Sequence, residues 1–208
     1  MKYSMPNKPL FITGIGTGIG KTIVSAILTE KLKADYWKPV QSGDLDDSDT
    51  LKVKSLISNT QTVFHPETYR LTQPFSPHKS AAIDGVSIEK EKFITPKTDN
   101  QLLIEGAGGL MVPLNNELLM IDLIKYLDAE IILVSQNYLG SINHTLLSVA
   151  ALKQYNIPIK GIIFNGKADI DSESYILKYK GLKLLGHIPE YKSIDKNVVI
   201  EAGEHISL

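Results

Sequence analysis

"GIGTGIGKT", residues 14–22, follows directly on the apolar run Pro9-Leu10-Phe11-Ile12 and precedes the helical pattern "KTIVSAILTEKLKA" (21–34). A standard phosphate loop reads G-x-x-x-x-G-K-[ST]. Counting back from Gly20 puts its first glycine at position 15, where this chain has Ile. The displaced Gly14 turns the chain out of the strand, and Ile15 is acceptable there if its φ is negative. Strand, glycine loop and helix then place backbone N–H groups at a helix N-terminus, where they and the helix dipole favour phosphate. Gly16, Gly18 and Gly20 let the backbone approach phosphate oxygens closely. Lys21 is placed to reach the β- and γ-phosphates, and the Thr22 hydroxyl to ligate Mg²⁺. The bland alternative is a flexible glycine turn with Lys21 solvated. A dinucleotide reading fails, because "GTGIGK" (16–21) breaks the G-x-G-x-x-G pattern and Lys38-Pro39 stands where an acidic residue would end the second strand.

Working outward, short apolar runs alternate with helical patterns. "DYWKPV" (35–40) reads as a short strand ended by Pro39. "SDTLKVKSLIS" (48–58) reads as a helix with Ser48 as N-cap. "QLLIE" (101–105), "EIILVS" (130–135), "IKGIIFN" (159–165) and "KLLGHI" (183–188) are continuous apolar runs, as expected of strands covered on both faces. Between them lie the helical patterns 141–155 and 172–181. Residues 59–100 carry several prolines and no sustained period, so only "ETYRL" (67–71) is assigned there, as a short strand. The alternation predicts an α/β fold: a mostly parallel central sheet flanked by helices, formed by residues 1–208 as one domain. Every unusual polar or glycine-rich cluster follows a strand, at the sheet edge where such folds bind ligands.

Bulk properties set limits. Lys and Arg total 22 against 23 Asp and Glu, a formal net charge of −1, so no overall basic field attracts nucleic acid or anionic lipid. There is no cysteine, which excludes disulfides, thiolate metal sites and a cysteine nucleophile. No stretch approaches the ~20 apolar residues of a membrane span, and the N-terminal stretch lacks a run of signal-peptide length. The expectation is a cytoplasmic protein with no membrane or nucleic-acid partner.

Several segments together resemble dethiobiotin synthetase: residues 14–22, "KPVQSG" (38–43), "SPH" (76–78), "EGAGG" (105–109), "LGSINH" (139–144) and "GHIP" (186–189). The resemblance covers nearly the whole chain. It implies a P-loop NTPase fold and a homodimeric, ATP- and Mg²⁺-dependent ligase of biotin synthesis. That enzyme joins 7,8-diaminononanoate with CO₂, through a carbamate and a carbamic-phosphoric anhydride, to close a cyclic urea. An anionic carbamate approaching a polyanion needs cations to offset repulsion. Lys21 and Lys38 are the candidates, with Thr17 beside phosphate or substrate. The resemblance further implies nucleotide contacts from Gly16, Thr17, Gly18, Ile19, Gly20, Lys21, Thr22, Glu105, Gly106, Gly108, Asn165 and Pro189. It implies Mg²⁺ held by Thr22, Asp49 and Glu105. Substrate contacts would come from Ser42, Pro77 and Gly108, and from Gly140, Ser141, Ile142 and Asn143 of the second subunit. Ser141 and Asn143 serve equally well as helix N-caps, and His65 and His144 read as structural or surface residues. Two departures stand out: Gly18 replaces an expected acidic residue, and Gly166-Lys167 is not the usual continuation after Asn165. The alternative reading is a partitioning-type switch ATPase. Its phosphate loop typically carries a second lysine where this chain has Ile15.

Overall fold

The computed structural model describes residues 8–179 and 181–208. Residues 1–7, part of the stretch read for a leader, and Lys180, within the pattern 172–181, lie outside the described residues.

β1 (Leu10–Gly14) runs into the glycine loop and α1 (Lys21–Leu32). Then come β2 (Asp35–Trp37), β3 (Val40–Ser42), α2 (Asp49–Leu56), β4 (Phe64–His65), β5 (Tyr69–Leu71) and α3 (Pro77–Ile83). The second half is more regular: β6 (Leu102–Gly109), α4 (Met120–Tyr126), β7 (Glu130–Ser135), α5 (Ser141–Gln154), β8 (Ile159–Asn165), α6 (Ile170–Lys178), β9 (Leu184–Ile188) and α7 (Lys196–Glu204). Seven strands form a parallel sheet in the order β4-β2-β6-β1-β7-β8-β9.

The unbroken apolar runs have their cause in this layering. Phe11, Ile104 and Leu133 face one layer with Ile124 of α4 and Val149 of α5. Their alternates Ile12, Leu103, Ile132 and Val134 face the other, with Val24 and Ile27 of α1 and Val199 of α7. Both faces of each central strand are dry, and each such side chain contributes about 1.5–3 kcal/mol on burial. Among the described residues no helix is long and apolar enough to cross a membrane.

Three expectations are corrected. "DYWKPV" is not one strand: β2 ends at Trp37, and beyond Pro39 the chain resumes as β3, which pairs in parallel with β5 as a separate two-stranded sheet. Proline has no N–H for the ladder, so the main sheet loses the chain at that point. The run 101–105 does not stop at Glu105. β6 continues through the glycines to Gly109, because Gly106 and Gly109 lie so close to β1 that side chains there would meet the Phe11 ring and the Gly14 carbonyl. In "ETYRL" only Tyr69–Leu71 is strand. Ser48 caps α2 as expected, accepting a hydrogen bond from the Leu51 N–H.

Candidate functional site

β1 lies between β6 and β7, so the glycine loop opens at the middle of the carboxyl edge of the sheet. Ile15 is not among the residues of positive φ, so its replacement of glycine needs no strained backbone. Gly18 and Gly20 do adopt left-handed conformations, with φ of 74° and 92°. Gly20 is the N-cap of α1 and supplies no side-chain acceptor, so the first N–H groups of the helix are left for an anion. Ile19 is the loop's anchor: it is buried in the core below, and its carbonyl is held by Asn165. The Lys21 ammonium folds back onto the Gly16 carbonyl at 2.8 Å and is buried, so it is not a solvated helix lysine. Burial pulls its pKa down to about 8 against the attraction of Glu105.

Beside the loop stands a charged cluster. Lys38, at the break between β2 and β3, is 3 % exposed and points inward. Its Nζ lies 2.5 Å from Asp49 Oδ2 and 3.2 Å from Glu105 Oε1. Burial disfavours its charge, but Glu105 and Asp49 together outweigh burial and raise its pKa. Burial likewise acts on Asp49, and Lys38 overcomes it to hold that carboxyl below the usual range. Glu105 Oε1 also accepts from the Thr22 hydroxyl at 2.9 Å. Thr22, Asp49 and Glu105, distant in sequence, thus converge. They supply hard oxygen donors of the kind magnesium takes. Among the described residues no group of three or more His, Cys, Asp or Glu is placed to hold a metal. A cation here fits only as magnesium commonly binds, with water and phosphate oxygens completing its shell.

Two cavities meet at this cluster. One, about 370 Å³, is lined by Gly18, Gly20, Lys21, Thr22 and Glu105. The other, about 440 Å³, is lined by Lys38, Ser42, Pro77, Ala107 and Val112, while Thr17, Asp49 and Gly108 border both. Gly108 has φ 67°, and a side chain there would collide with Val112. The Ser42 hydroxyl is buried with no hydrogen-bond partner among the described residues, an arrangement that calls for a ligand or water. Pro77 opens α3 at its first turn, buried beneath the cavity. A larger cavity of about 790 Å³, lined by Lys8, Thr98 and Leu127, includes Lys8 and Leu102 at the opposite, amino edge of the sheet and has none of this chemistry.

Other expected residues sit apart. Gly106 is buried under Phe11, so its role is packing. Asn165 donates to the Ile19 carbonyl at 3.1 Å and packs against Gly20, bracing the loop from the end of β8. Exposed Pro189 follows Ile188, whose carbonyl accepts from the Gly166 N–H. Gly140 and Ile142 line a separate cavity of about 620 Å³. Neither Ser141 nor Asn143 caps α5: the N-cap is Gly140, at φ 102°. His144 bonds the Tyr138 hydroxyl, and His65 lies 3.4 Å from Asp35.

Sequence reasoning missed three positioning groups. Gln41 accepts from the Asp49 N–H and donates to the Gly43 carbonyl, tying the start of α2 to β3. Tyr36 donates to Glu105 Oε2 at 2.9 Å. Burial, reinforced by Glu105, raises its pKa well above the ordinary value, so it stays a donor. His187 sits between the Gly166 carbonyl and the Glu173 carboxylate, holding the turn after Asn165. In the sequence Tyr36 reads as one more aromatic of a buried strand, and only the "GHIP" motif draws attention to His187.

Residues 8–198 match a family model described as an AAA domain. The ATP-dependent dethiobiotin synthetase BioD of Christiangramia forsetii is 52 % identical over 197 residues, covering 95 % of each chain. That of Cytophaga hutchinsonii is 51 % identical over 193 residues, covering 92 % of this chain and 93 % of its own. Among solved structures, the septum site-determining protein MinD of Pyrococcus horikoshii, complexed with Mg-ADP, superposes with a TM-score of 0.61 at 14 % identity, over 95 % of this chain and 94 % of that one. A ParA family ATPase from Chlorobium tepidum gives 0.56 at 16 % identity, over 96 % and 100 %. These two share the fold, whereas the synthetases share half the sequence over almost the entire length. The chain belongs to the ATP-dependent dethiobiotin synthetase family.

Proposed function

We propose that this chain carboxylates 7,8-diaminononanoate with CO₂ and closes the cyclic urea of dethiobiotin, cleaving ATP to ADP and phosphate. The observation that carries the reading is Lys38: a buried ammonium that lines the Ser42 cavity and is paired with Asp49 and Glu105, both of which line the cavity at the glycine loop. Triphosphate occupies the cavity at Gly18–Thr22, and the diamine the one at Ser42 and Pro77. An amine nitrogen attacks CO₂, loses a proton and becomes a carbamate. Ser42 offers that carbamate its unpartnered hydroxyl. The carbamate oxygen attacks the γ-phosphorus, and ADP leaves. The second amine then attacks the carbonyl carbon, phosphate leaves and the ring closes. Lys21 and Lys38 offset the repulsion between anionic nucleophile and phosphate and stabilise the charge spreading over the transferred group. Magnesium, held by Thr22, Asp49 and Glu105, supplies further positive charge at the phosphates when bound.

Residues 140–143 belong to the second subunit's part of a shared site in this reading. That Gly140 and Ile142 line a different cavity from Ser42 supports it, as does the fully exposed Leu139 beside them, with Leu147 60 % exposed on α5. Solution mass at working concentration should be that of a dimer, in a cytoplasmic enzyme. Turnover tests the whole reading: ATP cleavage should require both the diamine and bicarbonate, with dethiobiotin detected by mass spectrometry. Hydrolysis indifferent to the diamine would overturn it in favour of a switch ATPase.

A further inference from the structure

Glu105 has two carboxylate oxygens and they are differently engaged. Oε1 faces Thr22 and Lys38, toward the cavities. Oε2 faces the core and accepts from Tyr36. Tyr36 is wholly buried, its ring packed 5.7 Å from that of Phe64, and β2 is held to β6 by the pairing of Tyr36 with Leu103. A phenol so enclosed needs an acceptor, and Glu105 is the one it has. The Glu105 side chain, 1 % exposed, is correspondingly unable to turn without stranding that hydroxyl.

We infer that Tyr36 is a positioning residue that confines Glu105 to a single oxygen, Oε1, toward a bound cation, and thereby favours magnesium over calcium. The inference rests on the metal reading above. The physical basis is coordination chemistry. Magnesium demands a compact octahedral shell and is satisfied by one oxygen per carboxylate plus water. Calcium takes more ligands at longer distance and commonly takes both oxygens of one carboxylate. A carboxylate whose second oxygen is held by a phenol meets the first requirement and resists the second. Tyr36 lines neither cavity, so its effect is exerted through Glu105.

The test is Tyr36→Phe in the full chain, with magnesium and calcium titrated separately by calorimetry into protein saturated with ADP. The ratio of calcium to magnesium affinity should rise about tenfold or more, the scale of a lost hydrogen bond to a charged group. The magnesium concentration for half-maximal turnover should rise while KM for the diamine stays unchanged. An unchanged metal ratio, with magnesium still binding the unmodified protein, overturns the role of Tyr36 alone. Absence of any magnesium effect on the unmodified protein overturns the metal reading and this inference with it. A crystal structure of the unmodified protein with magnesium and ADP decides the point independently of how the variant folds. Tyr36 on Oε2 with only Oε1 toward the metal supports the inference, and bidentate Glu105 refutes it.

Discussion

Replacing Lys38 by Met removes a charge while keeping much of the side chain's apolar volume, and the geometry sets the size of the effect. At 3.2 Å from Glu105, the pair energy is about 5 kcal/mol at an effective dielectric near ~20. Desolvation of both groups offsets much of this. What counts is that the variant leaves Glu105 and Asp49 facing each other with no cation between them. Breaking a buried pair in this way costs about 3–5 kcal/mol. Asp49 is 28 % exposed, and water screens part of the repulsion, so about 3 kcal/mol is the better figure. Unfolding entropy of about 2.1 cal/mol/K per residue over 208 residues converts this to a Tm lower by about 7 °C in metal-free buffer. Magnesium with ADP should then raise the variant's Tm by more than it raises that of the unmodified protein, since the carboxylates have lost a competing cation. At the same time kcat should fall by at least ~100-fold, as for loss of a charge partner of the transition state. Differential scanning fluorimetry with and without magnesium, beside coupled phosphate release, reads all three. An unchanged metal-free Tm would show that Lys38 is not the counter-ion of this pair. Near-normal kcat would remove it from the chemistry.

Other consequences are simpler to state. Lys21→Ala should abolish turnover and leave the far-UV circular dichroism unchanged; near-normal activity would reject its role. Lys21 keeps its proton in the nucleotide-free protein only up to about pH 8, and bound phosphate favours the protonated form. ADP affinity should therefore be level below that pH and weaken above it, by at most ~10-fold per pH unit for one proton; a flat calorimetric profile from about pH 7 to 10 would contradict this. Gly20→Ala places a side chain at φ 92° and against the Asn165 amide, so stability should drop by about 1–2 kcal/mol and KM for ATP should rise. Ser42→Ala should raise KM for the diamine with little change in Tm, since that hydroxyl has no partner among the described residues to lose.

The regular half of the molecule was legible because its strands are buried on both faces and flanked by helices. β7 and β8 coincide with the apolar runs 130–135 and 159–165 for that reason. The phosphate loop was legible because its backbone geometry demands glycine at specific points. In its local sequence Lys38 is a lysine before proline, and it became a candidate for the phosphate chemistry only through the resemblance. Its inward turn depends on Asp49 and Glu105, which come from α2 and β6 and leave no trace in the local sequence. The N-cap of α5 was misplaced because Ser and Asn favour capping in general, whereas the left-handed turn here needs Gly140. α4 and α7 were passed over, although α7, at nine residues, is as long as α6, which was read.

Residues 59–100 were the least legible and are the most specific to the proposed chemistry. A parallel sheet of this kind is a frame shared with the MinD and ParA structures, and a fold does not by itself fix an activity. Beside the loop lies the β3–β5 ribbon with α3 behind it, and Ser42 of β3 and Pro77 of α3 line the second cavity. Such a segment cannot carry a strong hydrophobic period, because long-range polar ties set its path. Asp35 accepts from the Val63 N–H, Thr98 and Asn100, and Asp84 accepts from the Thr72 N–H and hydroxyl. Burial disfavours charge on Asp35, yet these donors outweigh it and hold its carboxyl below the usual range. The stability they contribute is present above the unfolded pKa and is lost as pH falls through the lower folded one. Acid should therefore loosen this excursion, and with it the diamine cavity, while the glycine loop, braced by apolar packing of Ile19 and by Asn165, is unaffected by those groups. Diamine affinity should fall at a higher pH than ADP affinity does, and loss of both together would show that the two halves of the site share one support.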